Sequence, residues 1–180
     1  MTNKNFKTSF MTAFLPTLTA LLALLFASAC GPMPPEDPFH LAEAKDSLGR
    51  GYHWYLRGCN QEALRFFSLG LEEARLSDNV ALIVKSLNFM GVAMIAQGDL
   101  NSAALTLEQA LILSEAEPVP PELDSLWGNL GLLAFKAGRF ADAAELWQRA
   151  AEEAEARNLS PSLYHSNLAR LYLSQGRDGE

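Results

Sequence analysis

Apolar residues recur along the chain at three- and four-residue intervals: Leu64, Phe67 and Leu71, then Ala104, Leu107 and Leu111, then Ala143, Leu146, Trp147 and Ala150. That spacing puts each set on one face of a helix. No segment sustains the apolar–polar alternation of a half-buried strand. The pattern predicts helices over 41–57, 60–77, 80–97, 100–116, 122–137, 140–157 and 161–175, and with them an all-α fold. Pro118-Val-Pro-Pro121 separates the fourth helix from the fifth, and Pro161 suits the first turn of the seventh.

Small residues add a longer period. Gly51, Gly91 and Gly131 are 40 residues apart, with Ala169 following 38 later, and Gly58, Gly98, Gly138 and Gly176 repeat those intervals. In the same register stand Ala63, Ala103 and Ala143, then the bulky Phe67, Leu107 and Trp147, then the small Gly70, Ala110 and Ala150. A helix-interior glycine costs about 1 kcal/mol against alanine. Its recurrence at 51, 91 and 131 therefore implies a close approach of another backbone, with the Ala63 series as the expected facing surface. The Gly58 series falls where each first helix should stop, at the left-handed cap position. Asn60, Asp99 and Asn101 follow as candidate caps for the second helices.

In the third unit the order Trp127, Leu130, Gly131, then Gly138, Phe140, Ala143, Trp147 and Ala150 resembles the tetratricopeptide repeat, whose pattern runs W-x2-L-G-x2-Y and then A-x3-F. The second unit keeps Gly91, Gly98, Ala103 and Ala110, and the first has Trp54, Tyr55, Ala63 and Phe67 in register. The 40-residue period exceeds the 34 of the common form and is similar to the longer-helix variety found in proteins that hold peptides or regulatory partners. The resemblance covers 44–176. It implies a right-handed superhelical α-solenoid of three helix pairs, 44–79, 84–119 and 124–159, plus a C-terminal capping helix over 161–175, within a repeat domain spanning 41–180.

In this family, first-helix residues line a concave groove. By register the resemblance places there Lys45, Leu48, Tyr52 and Tyr55, then Lys85, Asn88, Val92 and Ile95, then Leu132, Phe135 and Lys136, and finally Arg170. Such a surface, apolar with basic punctuation, suits a protein or peptide segment bearing hydrophobic anchors and a few acids. The same apolar side chains are also what an ordinary core would contain. The chaperone-tail carboxylate clamp is not matched, because Leu48 and Tyr52 stand where polar groups would be needed. The seventh helix, crowded with Leu163, Leu168, Leu171, Tyr172 and Leu173, closes the array or pairs with a second copy in a homo-oligomer.

The amino terminus has its own pattern: a polar start with Lys4 and Lys7, an apolar stretch ending at Ala27, and small residues before Cys30. Those are the parts of an export signal over 1–29; an uncleaved anchor over 10–29 is the competing reading by length. Ala27-Ser28-Ala29 fits ordinary signal peptidase, and with Cys30 it resembles a bacterial lipobox. The lipobox resemblance makes Cys30 the lipid-bearing first mature residue, joined to the fold by a proline-rich tether over 30–40. With Gly31 after the cysteine rather than aspartate, it implies the bacterial cell envelope and an outer-membrane anchor facing the periplasm.

Composition narrows the chemistry. The formal net charge is −7, and residues 1–29 contain Lys4, Lys7 and no acid, which leaves 12 basic and 21 acidic side chains, net −9. No cluster of Lys and Arg exists to neutralise phosphates, so nucleic-acid binding is not expected. Cys30, Cys59, His40, His53 and His165 are not at ligand spacing, so no metal and no cofactor is expected. Hydrolase, P-loop and dinucleotide motifs are absent from the sequence. Glu72-Glu73 and Glu152-Glu153 read as solvated charge on second helices, and Cys59 as an exposed turn residue. The expectation is a non-catalytic, lipid-anchored scaffold that binds an envelope protein, as small repeat lipoproteins do in pilus, secretin or outer-membrane protein assembly. A self-associating module and an accessory subunit of a cell-wall enzyme are the alternatives.

Overall fold

A computed structural model describes residues 38–176, which form seven α-helices and, among the described residues, no strand. They are α1 (Pro38–Leu56), α2 (Asn60–Leu76), α3 (Val80–Gln97), α4 (Leu100–Glu115), α5 (Leu123–Lys136), α6 (Phe140–Ala156) and α7 (Ser162–Ser174). The chain is thus an all-α protein. The expected signal segment over 1–29, Cys30 and the expected tether through 37 lie outside the described residues. The tether was expected to run to 40, whereas α1 begins at Pro38. Proline suits a first helical position, where its missing N–H has no partner to lose, and His40 is held by a contact from its Nδ1 to Glu73 Oε2 on α2.

Turns of two or three residues join α1 to α2, α3 to α4 and α5 to α6, so each pair is an antiparallel hairpin. Each pair also packs on the next through α2–α3, α4–α5 and α6–α7. The first helices touch one another, α1 with α3 and α3 with α5. Helix α3, which meets α1, α2, α4 and α5, has a mean hydropathy of 1.6, apolar and long enough to cross a membrane by composition alone. Its neighbours account for that: Val84, Leu87 and Ile95 are core residues, packed with Leu107, Leu126 and Leu133.

The glycine column closes each hairpin. A Cβ at Gly51 would lie 2.5 Å from the Phe67 ring, one at Gly91 2.5 Å from Leu107, and one at Gly131 2.6 Å from Trp147. The side chain facing each glycine is therefore the bulky residue 16 positions on. Ala63, Ala103 and Ala143, expected in that place, are buried but do not fill the notch. Burying a large apolar side chain contributes roughly 1.5–3 kcal/mol, which outweighs the helix penalty of a glycine. Trp147 gains further by donating from Nε1 to the carbonyl oxygen of Gly128 at 2.9 Å.

The cap glycines behave as the register implies. Gly58, Gly98, Gly138 and Gly176 have φ of +75°, +83°, +76° and +67°, a left-handed conformation that an L residue enters at about 1–2 kcal/mol. Of the expected caps only Asp99 acts, its Oδ1 accepting from the Ser102 N–H at 3.1 Å. Asn60 and Asn101 lie inside α2 and α4. Asn79 caps α3 instead, accepting from the Leu82 N–H at 2.9 Å.

These two kinds of glycine predict different mutant behaviour. Gly131→Ala adds about 1 kcal/mol of helix propensity but displaces Trp147, at an overpacking cost of about 1–3 kcal/mol and with loss of its hydrogen bond. A net destabilisation of about 1–2 kcal/mol in urea unfolding, with a shifted tryptophan emission, is expected. Gly98→Ala meets nothing within 4 Å and should cost about 1 kcal/mol of backbone strain with unchanged emission. A Gly131→Ala protein with wild-type stability and emission refutes the notch.

Candidate functional site

On each first helix the residue after the notch glycine turns about 100° away from the second helix. That column is Tyr52, Val92 and Leu132, and all three line one cavity of about 500 Å³ together with Arg170 on α7. Tyr55 reaches the same cavity, and Asn88 forms part of its wall although only 1% exposed. Residues that the register did not place in the groove complete it: Phe67 and Phe89, then Glu122, Ser125, Gly128 and Asn129, then Leu163, Tyr164 and Asn167. The rings form a continuous wall, with Tyr52 stacked on Phe89 at 5.7 Å between centroids and Phe67 tilted against Phe89 at 5.2 Å. Burial, aided by the neighbouring Tyr52, raises the Tyr55 phenol above its ordinary range, so it stays a neutral hydroxyl.

A second recess of about 390 Å³ between α1 and α3 shares Tyr52 and Phe89 and holds Lys45, Leu48 and Lys85. Leu48 is 4% exposed and packs beneath it. Lys85 is not an isolated positive charge: its Nζ is 3.5 Å from Glu122 Oε1 and 5.8 Å from the centre of the Phe89 ring.

Three residues expected in the groove line neither recess. Ile95 is 4% exposed in the central core with Leu107. Phe135 packs on Trp147 and Phe140, at ring distances of 5.8 and 5.6 Å. Both stand four residues after a notch glycine, one helical turn on, and face the second helix, whereas Tyr55 in the same column packs on the core and still reaches the cavity. Lys136 is exposed in the last turn of α5.

The far wall rests on a polar clasp. Asp124, 9% exposed, accepts from the Tyr164 hydroxyl at 2.9 Å and from Arg157 Nη1 at 3.3 Å. The Tyr164 ring lies over Gly128, where a Cβ would come within 2.5 Å. Burial and the hydrogen bond to Asp124 push the Tyr164 phenol far above its ordinary value. The clasp ties α5, the end of α6 and α7 together.

Charge is divided by face. Helices α2, α4 and α6 carry ten acidic and three basic side chains, whereas α1, α3, α5 and α7 carry three acidic and five basic ones. Glu72 and Glu152 are exposed, as a solvated face requires. Among the described residues no group of three or more His, Cys, Asp or Glu is placed to hold a metal. Cys59 is half-buried in the α1–α2 turn, 3.9 Å from the Arg57 carbonyl oxygen. What the arrangement offers chemically is a low-charge, aromatic and amide-lined trough. No model of a known protein family matches the chain, and no curated protein matches it in sequence.

The clasp predicts an alkaline signature. A phenol whose folded pKa lies above its ordinary value of 10.0 favours folding in its protonated form, so its contribution is complete below about pH 10 and is lost as pH rises beyond that. Tyr164→Phe should cost about 2 kcal/mol near neutrality, the worth of a hydrogen bond to a carboxylate. It should also flatten the fall of stability above pH 10, read by urea titration at stepped pH. An unchanged alkaline slope in the variant contradicts the assignment.

Proposed function

We propose that this chain is a non-catalytic tetratricopeptide-type scaffold of the bacterial envelope, anchored through a lipid on Cys30 and holding a segment of a partner protein in the trough of its first helices. The observation that carries this reading is the cavity itself. Its lining repeats with the 40-residue period at Tyr52, Val92 and Leu132, and it combines apolar walls with a few convergent polar groups, the composition of a binding site. The right-handed solenoid implied by the repeat pattern would make that trough its concave face. The lipobox pattern at Ala27-Ser28-Ala29-Cys30 supports export and anchoring, and Gly31 the outer membrane. Assistance to assembly of a pilus, secretin or outer-membrane protein is the role that fits a small anchored scaffold.

Photo-crosslinking in intact membranes tests the proposal. A crosslinking residue at Val92 or Leu132 should capture one discrete partner, while the same residue at the exposed Leu105 or Ile112 of α4 should not. Equal capture from both faces, or none from the trough, rejects the docking site. Separately, Cys30→Ser should abolish lipid labelling and release the protein from membranes, and unchanged retention rejects the anchor.

A further inference from the structure

We infer that the exposed face of α1 is a membrane-contact surface that lies on anionic lipid headgroups beside the anchor. The inference rests on the anchoring reading above and adds to it the orientation of the fold. The first ground is charge. Helix α1 packs on α2 and α3, and its remaining side exposes Lys45, Asp46, Arg50, His53 and Arg57, which line one recess together with the partly buried Trp54. Three of these are permanent cations and one is an acid, Asp46, whose Oδ2 is 3.7 Å from Arg50 Nη1. Glu43, the other exposed acid of α1, is outside the recess. Residues 30–180 carry 12 basic and 21 acidic side chains, net −9, so an anionic bilayer repels the molecule as a whole and attracts it by this face.

The second ground is reach. That attraction fades within about 10 Å of the headgroups, so the face must be held close to them. Cys30 is eight residues before Pro38, the first residue of α1, a separation that no backbone stretches beyond about 29 Å. A lipid on Cys30 therefore keeps α1 at the bilayer and makes the encounter intramolecular, so that a patch too weak to bind from solution suffices. A soluble acidic partner would match the same cations, but the tether gives it no advantage in local concentration. The third ground is the apolar side chains among the cations. Phe39 and Leu56, 64% and 65% exposed, stand toward the two ends of that face, and Trp54 lies under Arg57, whose guanidinium carbon is 5.2 Å from its ring centre. Cations interleaved with Phe, Leu and Trp on one side of a helix suit an element lying in the headgroup plane.

The test places the full chain in vesicles of about one-third phosphatidylglycerol in phosphatidylcholine, with a benzophenone amino acid at Gly49, where an added Cβ meets nothing within 4 Å. Lipid adducts from this position are expected at least about tenfold above those from the same amino acid at Leu105 on α4. They should fall about fivefold or more in pure phosphatidylcholine, and likewise in about 1 M salt, where charges act over only about 3 Å. Arg50→Gln combined with Arg57→Gln should lower them about tenfold or more. Asp46→Asn, which removes the one acid of the recess, should raise them, a gain that misfolding cannot mimic. Equal adducts from Gly49 and Leu105, or from the two vesicle types, overturn the inference. So does a crosslink from Gly49 to a second copy, seen at the mass of a dimer, in place of lipid. Lipid labelling of Cys30 is scored in the same samples. Labelled chain without Gly49 adducts overturns the contact surface and leaves the anchor standing, whereas Gly49 adducts on unlabelled chain retain the surface and remove the anchor.

Discussion

One contact sets the geometry of each hairpin: a bulky side chain of the second helix seated where the first helix has only a glycine. Phe67 over Gly51, Leu107 over Gly91 and Trp147 over Gly131 each occupy space that a Cβ would fill. The seat fixes both the separation of the two helices and the rotation of the first about its axis, because only one face of that helix carries the notch. Rotation in turn decides what the opposite sides present. The next residue, at 52, 92 and 132, is carried out to the trough, and the residue one turn on, at 95 and 135, is carried into the pair. The lining of the candidate site is thus a consequence of core packing.

The sequence was legible where a backbone requirement has a single chemical solution. Left-handed caps need glycine, and the glycines at 58, 98, 138 and 176 marked every first-helix end. Second-helix ends were harder, since there Asp78 and Asn158, 80 residues apart, hold positive φ without glycine. The notch column announced a close approach but not its partner. A small residue facing a small residue and a large residue filling a hole leave the same glycine in the sequence, and only rotation of the second helix distinguishes them. The same ambiguity misplaced Ile95 and Phe135, which differ from true lining residues by about one position of helical rotation. Phe67, legible as a core residue, was not placed in the groove for the converse reason: a core ring on a second helix also lines the trough.

Helix α7 is held differently. Its register equivalent of the notch glycine, Ala169, is exposed, so no bulky side chain seats there among the described residues. The helix is captured from its other side, by Tyr164 in the gap at Gly128 and by the Asp124 carboxylate that Arg157 also contacts. A buried carboxylate with two donors is stabilising only while both remain, since removing either leaves a desolvated charge underused. The polar clasp therefore makes the position of α7 more specific than an apolar contact of equal area would.

Charge segregation explains why a strongly acidic chain can still offer a trough for ligand. The surplus of acids lies on α2, α4 and α6, where carboxylates keep the outer face hydrated, and α3 has Lys85 as its one ionisable side chain. Desolvating a surface of rings and amides costs far less than desolvating ions. Within that surface Asn129 Nδ2 donates to Asn88 Oδ1 and Arg170 Nη2 to Asn167 Oδ1, so the carboxamides are held in fixed orientations by one another and by Arg170.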